Sequence, residues 1–203
     1  LARLSGQETL TVGVPAAGRL LPETREMCGP FINTLPLRLS PSPDLSVEDY
    51  FSAVRDEVNG MLDHQEVGLE EITAALELPR SLSQSPLYQV MFTQRPLDPE
   101  DFTLGGEKLT YCPIPTGTAK MDLVVEMARD GDHYTFQMEY ASSLFEQESV
   151  AYWSRCLEQL IRSLAAAGNC PLWQLSALSP SDRVRLIDIP NHTVTPFVDL
   201  PIH

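Results

Sequence analysis

Two runs of alternating residues around one turn constrain this chain more than anything else in it. Asp122–Met127 (DLVVEM) and Tyr134–Tyr140 (YTFQMEY) flank Ala-Arg-Asp-Gly-Asp-His, and Asp130-Gly131 is a dipeptide that closes tight hairpins because both residues tolerate positive φ. Along the second run Tyr134, Phe136, Met138 and Tyr140 face one way while Thr135, Gln137 and Glu139 face the other, so one side of the ribbon has to be covered. A two-stranded ribbon is not stable alone. The chain must therefore supply further strands and a covering layer.

Both are legible. Thr9–Val14 reads as a strand followed by a flexible Pro15-Ala-Ala-Gly-Arg19, and Leu87–Phe92 reads as a buried strand entered through Pro86. Ser46 is a helix cap, and Val47, Tyr50, Phe51, Val54, Val58, Met61 and Leu62 follow at helical spacing, so one face of that helix is expected to be buried. A shorter helix over Leu69, Ile72 and Leu76 is closed by Pro79. Val150, Trp153, Leu157, Leu160, Ile161 and Leu164 mark a last long helix ending near Gly168 and Pro171. Strands and helices mixed in this order favour an α/β fold, a two-layer sandwich with a mixed sheet covered by helices, over a helical bundle.

With 203 residues, 43% of them hydrophobic, the chain is long enough to bury one such core. The density of Pro, Gly and Asp from Arg95 to Thr118 suggests a long mobile loop with at most a short strand near Lys108–Tyr111. The prolines of Leu178–His203 suggest a linker, which divides the chain into a globular unit, 1–178, and a connecting tail, 179–203.

Composition removes several function classes. A net charge of −14 is unsuited to a nucleic-acid backbone, which requires clustered cations. No apolar run is long enough to span a bilayer and no secretory signal pattern opens the chain, so a cytoplasmic protein is expected. Cys28, Cys112, Cys156 and Cys170 lack CxxC spacing and the four histidines are dispersed, which points to reduced cysteines and no metal site. Ser142 and Ser143 lie in no GxSxG elbow, so a hydrolase triad is not indicated.

The segment Cys28–Arg38, CGPFINTLPLR, is a sharp bend leading into a strand: Gly-Pro forces the turn, Asn33 and Thr34 bring hydrogen-bonding side chains, and Pro36 suits an edge. Its wording resembles the (I/V)GxFxNTxxxR motif of condensation domains in nonribosomal peptide synthetases, through Gly29, Phe31, Asn33, Thr34 and Arg38. Three more stretches resemble that family in the same order. Asp63–Glu70 (DHQEVGLE) is similar to (H/N)QxxPFE, Arg80–Leu87 (RSLSQSPL) to RDxSRxPL, and Lys120–Leu123 (KMDL) to KFDL. Gly68-Leu69 stands where the family has Pro-Phe, and Leu82 and Gln84 depart from the second pattern.

The resemblance implies a chloramphenicol-acetyltransferase-like lobe, specifically the carboxy-terminal half of a condensation domain, with the tail leading toward an adenylation domain at Leu200–His203. It implies amide formation between acyl or peptidyl and aminoacyl thioesters carried on phosphopantetheine arms of carrier proteins, with no cofactor bound by the lobe itself. The HHxxxDG element of the family, which carries the reaction-centre histidine, does not occur in these 203 residues. No catalytic residue is therefore expected here, and the lobe is expected to be inactive without its amino-terminal partner lobe.

Further implied are a floor loop near Pro22–Leu35, a bridging latch near Gly105–Asp122, and an inter-lobe salt bridge from Arg19 to the Asp of HHxxxDG. Asn33 and Thr34 either line the substrate tunnel or tie down the bend by side-chain bonds, and the second role is favoured. His64, at a helix end, is read as a carbonyl-capping structural histidine before a catalytic one. The alternatives to this whole reading are an epimerisation or heterocyclisation lobe of the same superfamily, a free-standing acyltransferase of the same fold using coenzyme A, and a non-catalytic docking module.

Overall fold

In a computed structural model of the chain, residues 1–79, 85–95, 103–108, 114, 117–130 and 132–194 are described. The Arg80–Gln84 part of one motif, Cys112 and the Leu200–His203 junction lie outside them.

The organising element is a five-stranded mixed sheet. β1 (Leu10–Ala16) pairs antiparallel with β2 (Asn33–Leu39), setting Val12 opposite Leu37 and Val14 opposite Leu35. β3 (Val90–Arg95) runs parallel to β1 on its other side, and β6 (Leu123–Asp130) runs parallel to β3. β7 (His133–Tyr140) closes the far edge antiparallel to β6, with Asp130 opposite His133 and Leu123 opposite Tyr140, as expected of a hairpin; Gly131 lies outside the described residues. The order across the sheet is β2-β1-β3-β6-β7. A separate short hairpin pairs β4 (Thr103–Leu104) with β5 (Glu107–Lys108); the remainder of the Lys108–Tyr111 expectation lies outside the described residues.

Between β2 and β3 the chain forms α2 (Val47–Asp63) and α3 (Leu69–Ala75). Ser46 caps α2 as expected: its hydroxyl accepts from the Asp49 N–H at 3.1 Å and donates to the Asp49 carboxylate at 2.7 Å. Only part of the apolar stripe is covered. Val47, Tyr50, Val54, Val58 and Met61 are half-buried, while Phe51 and Leu62 on the flank are exposed. After β7, α4 (Gln147–Ala166) packs Val150 into the core and sets Trp153 edge-on to Phe145 at 5.2 Å.

The segment beyond α4 returns to the start of α2. The Asn169 carboxamide accepts from Glu48 N–H and donates to the Glu48 carboxylate, and Val47 N–H donates to the Cys170 carbonyl. The short amino-terminal α1 (Ala2–Ser5) is tied to the same segment, since the Arg3 guanidinium donates to the carbonyls of Leu172 and Leu175. The core, where Leu35 is 2% exposed, consists of Val12, Ala16, Leu35, Leu37, Tyr88, Leu123, Val150 and Leu175.

Four expectations are corrected. Pro15 and Ala16, expected to be flexible, belong to β1 and pair with Thr34 and Asn33. β3 starts at Val90 because Leu87 and Tyr88 are used for packing before the strand. Tyr134 is 58% exposed, since β7 is an edge strand that α4 covers only in part. The tail is helical at its start: α5 (Pro180–Arg183) continues into a π-helical turn, Val184–Asp188. Pro180 sits at the first helical position, where its missing N–H costs nothing, behind a Ser179 cap.

Candidate functional site

Arg19 lies three residues beyond the end of β1. Gly18, at φ 64°, reverses the chain there, and a Cβ on it would collide with the Phe31 carbonyl oxygen. The next residues form a 3-10 turn, Pro22–Glu26, and the Arg19 side chain folds over it. Its Nη1 donates to the Thr24 carbonyl and, at 2.8 Å, to the Met27 carbonyl, while the guanidinium carbon lies 4.4 Å from the centre of the Phe31 ring. Gly29 completes the cluster, because a Cβ there would reach 3.1 Å from the ring. Arg19, Gly29 and Phe31 thus come together as one unit. Around them Leu20, Leu21, Met27 and Ile32 are exposed, Ile32 by 74%.

Asn33, at the start of β2, uses both amide protons: Nδ2 donates to the Gln65 carbonyl at 2.9 Å and the Val67 carbonyl at 3.0 Å. This joins CGPFINTLPLR to DHQEVGLE, two segments about thirty residues apart. Thr34 faces the other way, toward the Tyr88 phenol. Tyr88 is buried against Gly13 of β1, whose missing side chain makes room for the ring; burial pushes the phenol up from its ordinary value and Thr34 partly opposes that.

The other candidates stand apart. Arg38 is exposed near the far end of β2, about 17 Å along the strand from Asn33, in a shallow groove of about 340 Å³ shared with Asp56, Glu57 and Gly60 of α2. His64 ends α2 through its backbone N–H to the Met61 carbonyl, and its imidazole is exposed with no hydrogen bond among the described residues; the backbone does the capping expected of the side chain. Asp122 precedes β6, about 14 Å across the sheet from β2, and its carbonyl accepts from Ala141 N–H. A larger groove of about 470 Å³, between the start of α2 and Ala167–Asn169, contains none of these residues and is the seam where the returning chain meets α2.

Among the described residues no group of His, Cys, Asp and Glu is placed to hold a metal, and no helix is long and apolar enough to cross a membrane. Gly13, Gly18, Tyr88 and the backbone carbonyls of Thr24, Met27, Gln65 and Val67 do not stand out in the sequence. Carbonyls carry no residue-type signal, while the two glycines each sit where another residue's atoms need the space.

A condensation-domain family model matches residues 1–187. The chain belongs to the condensation-domain family of nonribosomal peptide synthetases. It is 36% identical over 201 residues to one of the subunits of linear gramicidin synthase from Brevibacillus parabrevis, covering 97% of this chain and 3% of that protein. It is 30% identical to surfactin synthase subunit 1 of Bacillus subtilis (strain 168), covering 93% of this chain and 5% of that protein. The chain therefore spans about a twentieth or less of the length of these synthetase subunits.

Among solved structures, the four-domain nonribosomal peptide synthetase AB3403 superposes with a TM-score of 0.79 at 19% identity, over 88% of this chain and 15% of that one. The starter condensation domain of rhizomide synthetase, in complex with C8-CoA, gives 0.72 at 22% identity, over 88% and 41%. These likenesses establish the fold: a mixed sheet with helices, of the condensation-domain type.

Proposed function

We propose that residues 1–178 form the carboxy-terminal lobe of a condensation domain that makes amide bonds between carrier-bound thioesters. In that reaction the lone pair of an aminoacyl thioester's amine attacks the carbonyl carbon of a donor acyl or peptidyl thioester. The new C–N bond forms, the C–S bond breaks, and the proton the amine gives up passes through a base to the departing sulfur, so the donor's phosphopantetheine arm leaves as the thiol. Charge separates on the way, negative on the carbonyl oxygen and positive on the amine, so a positioned polar environment lowers the barrier. The base belongs to HHxxxDG and lies outside these residues. The contribution of this lobe is a wall and a floor.

The observation that carries the reading is the state of Arg19. Its Nη1 is committed to Thr24 and Met27, which leaves the Nε–H and the Nη2 hydrogens, the edge suited to a bidentate carboxylate. Among the described residues no carboxylate pairs with it. An inter-lobe Asp is the partner this reading assigns. The exposed Leu20, Leu21, Met27 and Ile32 beside it supply apolar surface for the opposing lobe to cover.

Adenylation and carrier domains are the proposed neighbours, reached through the tail from residue 179. The test is to join the chain to the HHxxxDG-bearing residues of its own protein and supply a donor-loaded and an acceptor-loaded carrier protein. Amide-linked product on the acceptor carrier is expected, and it is expected to drop at least tenfold with Arg19→Ala. A joined protein that folds, binds both carriers and forms no amide contradicts the proposal.

A further inference from the structure

We propose that Phe31 is a positioning residue for Arg19: its ring face holds the guanidinium so that one edge stays bound to the floor loop and the other is presented outward. The inference rests on the inter-lobe reading of Arg19 for its consequence, but not for its geometry.

A free arginine side chain has many rotamers and would meet a partner carboxylate in few of them. Here three contacts remove that freedom. Thr24 and Met27, at the end of the 3-10 turn, both offer carbonyls to Nη1, and the Phe31 ring supports the guanidinium at 4.4 Å. The carbonyls fix one end of the planar group; without a surface beneath it the plane would still turn about that end. An aromatic face supplies that surface and attracts the cation through its quadrupole. An aliphatic side chain of similar size would fill the space and lack that attraction.

The ring is held in turn. Gly29 lets it pack against the backbone, since a Cβ there would press on it at 3.1 Å, and Gly18 leaves room for the Phe31 carbonyl immediately before Arg19 itself. The glycines at 18 and 29 thus both leave room for residue 31, Gly18 also taking the positive φ of the reversal, and residue 31 places residue 19. The pattern Gly18-Arg19 with Gly29-x-Phe31 is a single device drawn from two segments of sequence.

The test uses the 203-residue chain and the side-chain Nε–Hε resonance of Arg19, assigned by its loss in Arg19→Lys. A proton held over an aromatic face is shifted upfield by the ring current, whether or not it is hydrogen-bonded. Phe31→Leu is expected to return this resonance to the random-coil position, with the backbone amide spectrum retained, and Phe31→Tyr is expected to keep it shifted. Should Phe31→Leu unfold the chain, pentafluorophenylalanine at position 31 keeps the ring's shape while reversing its quadrupole, and is expected to release Arg19 in the same way. An Arg19 resonance at the random-coil position in the unsubstituted chain, or one indifferent to both replacements, overturns the proposal.

A second readout separates this from the reading beneath it. Binding of the chain to the HHxxxDG-bearing lobe is expected to weaken about fivefold in Phe31→Leu. If the resonance responds and the binding does not, Phe31 positions Arg19 as proposed and the inter-lobe assignment of Arg19 is what fails.

Discussion

The carboxamide of Asn33 donates one hydrogen bond to the carbonyl of Val67, at 3.0 Å, and a second to Gln65, so the first residue of β2 anchors the loop that follows α2. Asn33→Ala leaves both carbonyls without their donor and is expected to cost about 1–3 kcal/mol. Asn33→Asp is expected to cost more, because a carboxylate would face two carbonyl oxygens. Urea midpoints of the three proteins check this; an unchanged midpoint in Asn33→Ala would show that the anchor carries no stability.

Gly13 and Gly60 take the same substitution with opposite sign. A Cβ on Gly13 would stand 2.5 Å from the Tyr88 ring, so Gly13→Ala is expected to destabilise by about 1–3 kcal/mol. Gly60 lies inside α2 with nothing within 4 Å of its would-be Cβ, and Gly60→Ala is expected to stabilise by about 0.5–1 kcal/mol. Combining Gly13→Ala with Tyr88→Leu tests the first half, since removing the ring is expected to relieve part of the clash.

Asp182 gives the tail an acid-sensitive anchor. It is 9% exposed; its carboxylate accepts from the Ser179 hydroxyl at 2.7 Å and lies 3.4 Å from Arg185. The Ser179 bond, chiefly, holds its carboxyl below the ordinary value of 3.8 against the opposing effect of burial, with Arg185 and Arg155 helping. A depressed folded value means the stability from this group is present above about pH 4 and is lost as pH falls through the folded value. Amide exchange across Pro180–Asp188 should rise there, and Asp182→Asn should flatten that acid limb.

At the alkaline end Tyr88 and Tyr50 both act in the sense opposite to Asp182. Burial raises both phenols above 10.0, so the folded state favours their neutral forms, and stability present below pH 10 is lost as pH rises through the folded values. Tyr88→Phe should remove part of that alkaline loss while leaving the neutral-pH fold intact. A titration of unfolding midpoint from pH 8 to 11 reads it directly.

The elements legible in the sequence are those whose signal is local. The β6–β7 hairpin is set by period-2 alternation and one turn dipeptide, and α2 by its Ser46 cap and stripe. What is not legible depends on distant atoms. Tyr88 falls in an apolar run that reads as strand, but the space over Gly13 takes its ring out of that run. Pro180 reads as a breaker, although directly behind Ser179 it begins a helix. The hydrogen-bonding role of Asn33 follows from residue type, whereas its partners, the Gln65 and Val67 carbonyls, only the fold can name.

Turnover is the most direct test of the central claim, that this chain is one lobe of a two-lobed amide-forming domain. The isolated 203-residue chain, given donor-loaded and acceptor-loaded carrier proteins, is expected to form no amide above the uncatalysed rate, and the same chain joined to its HHxxxDG-bearing residues is expected to form it. Amide formation by the isolated chain would contradict the account.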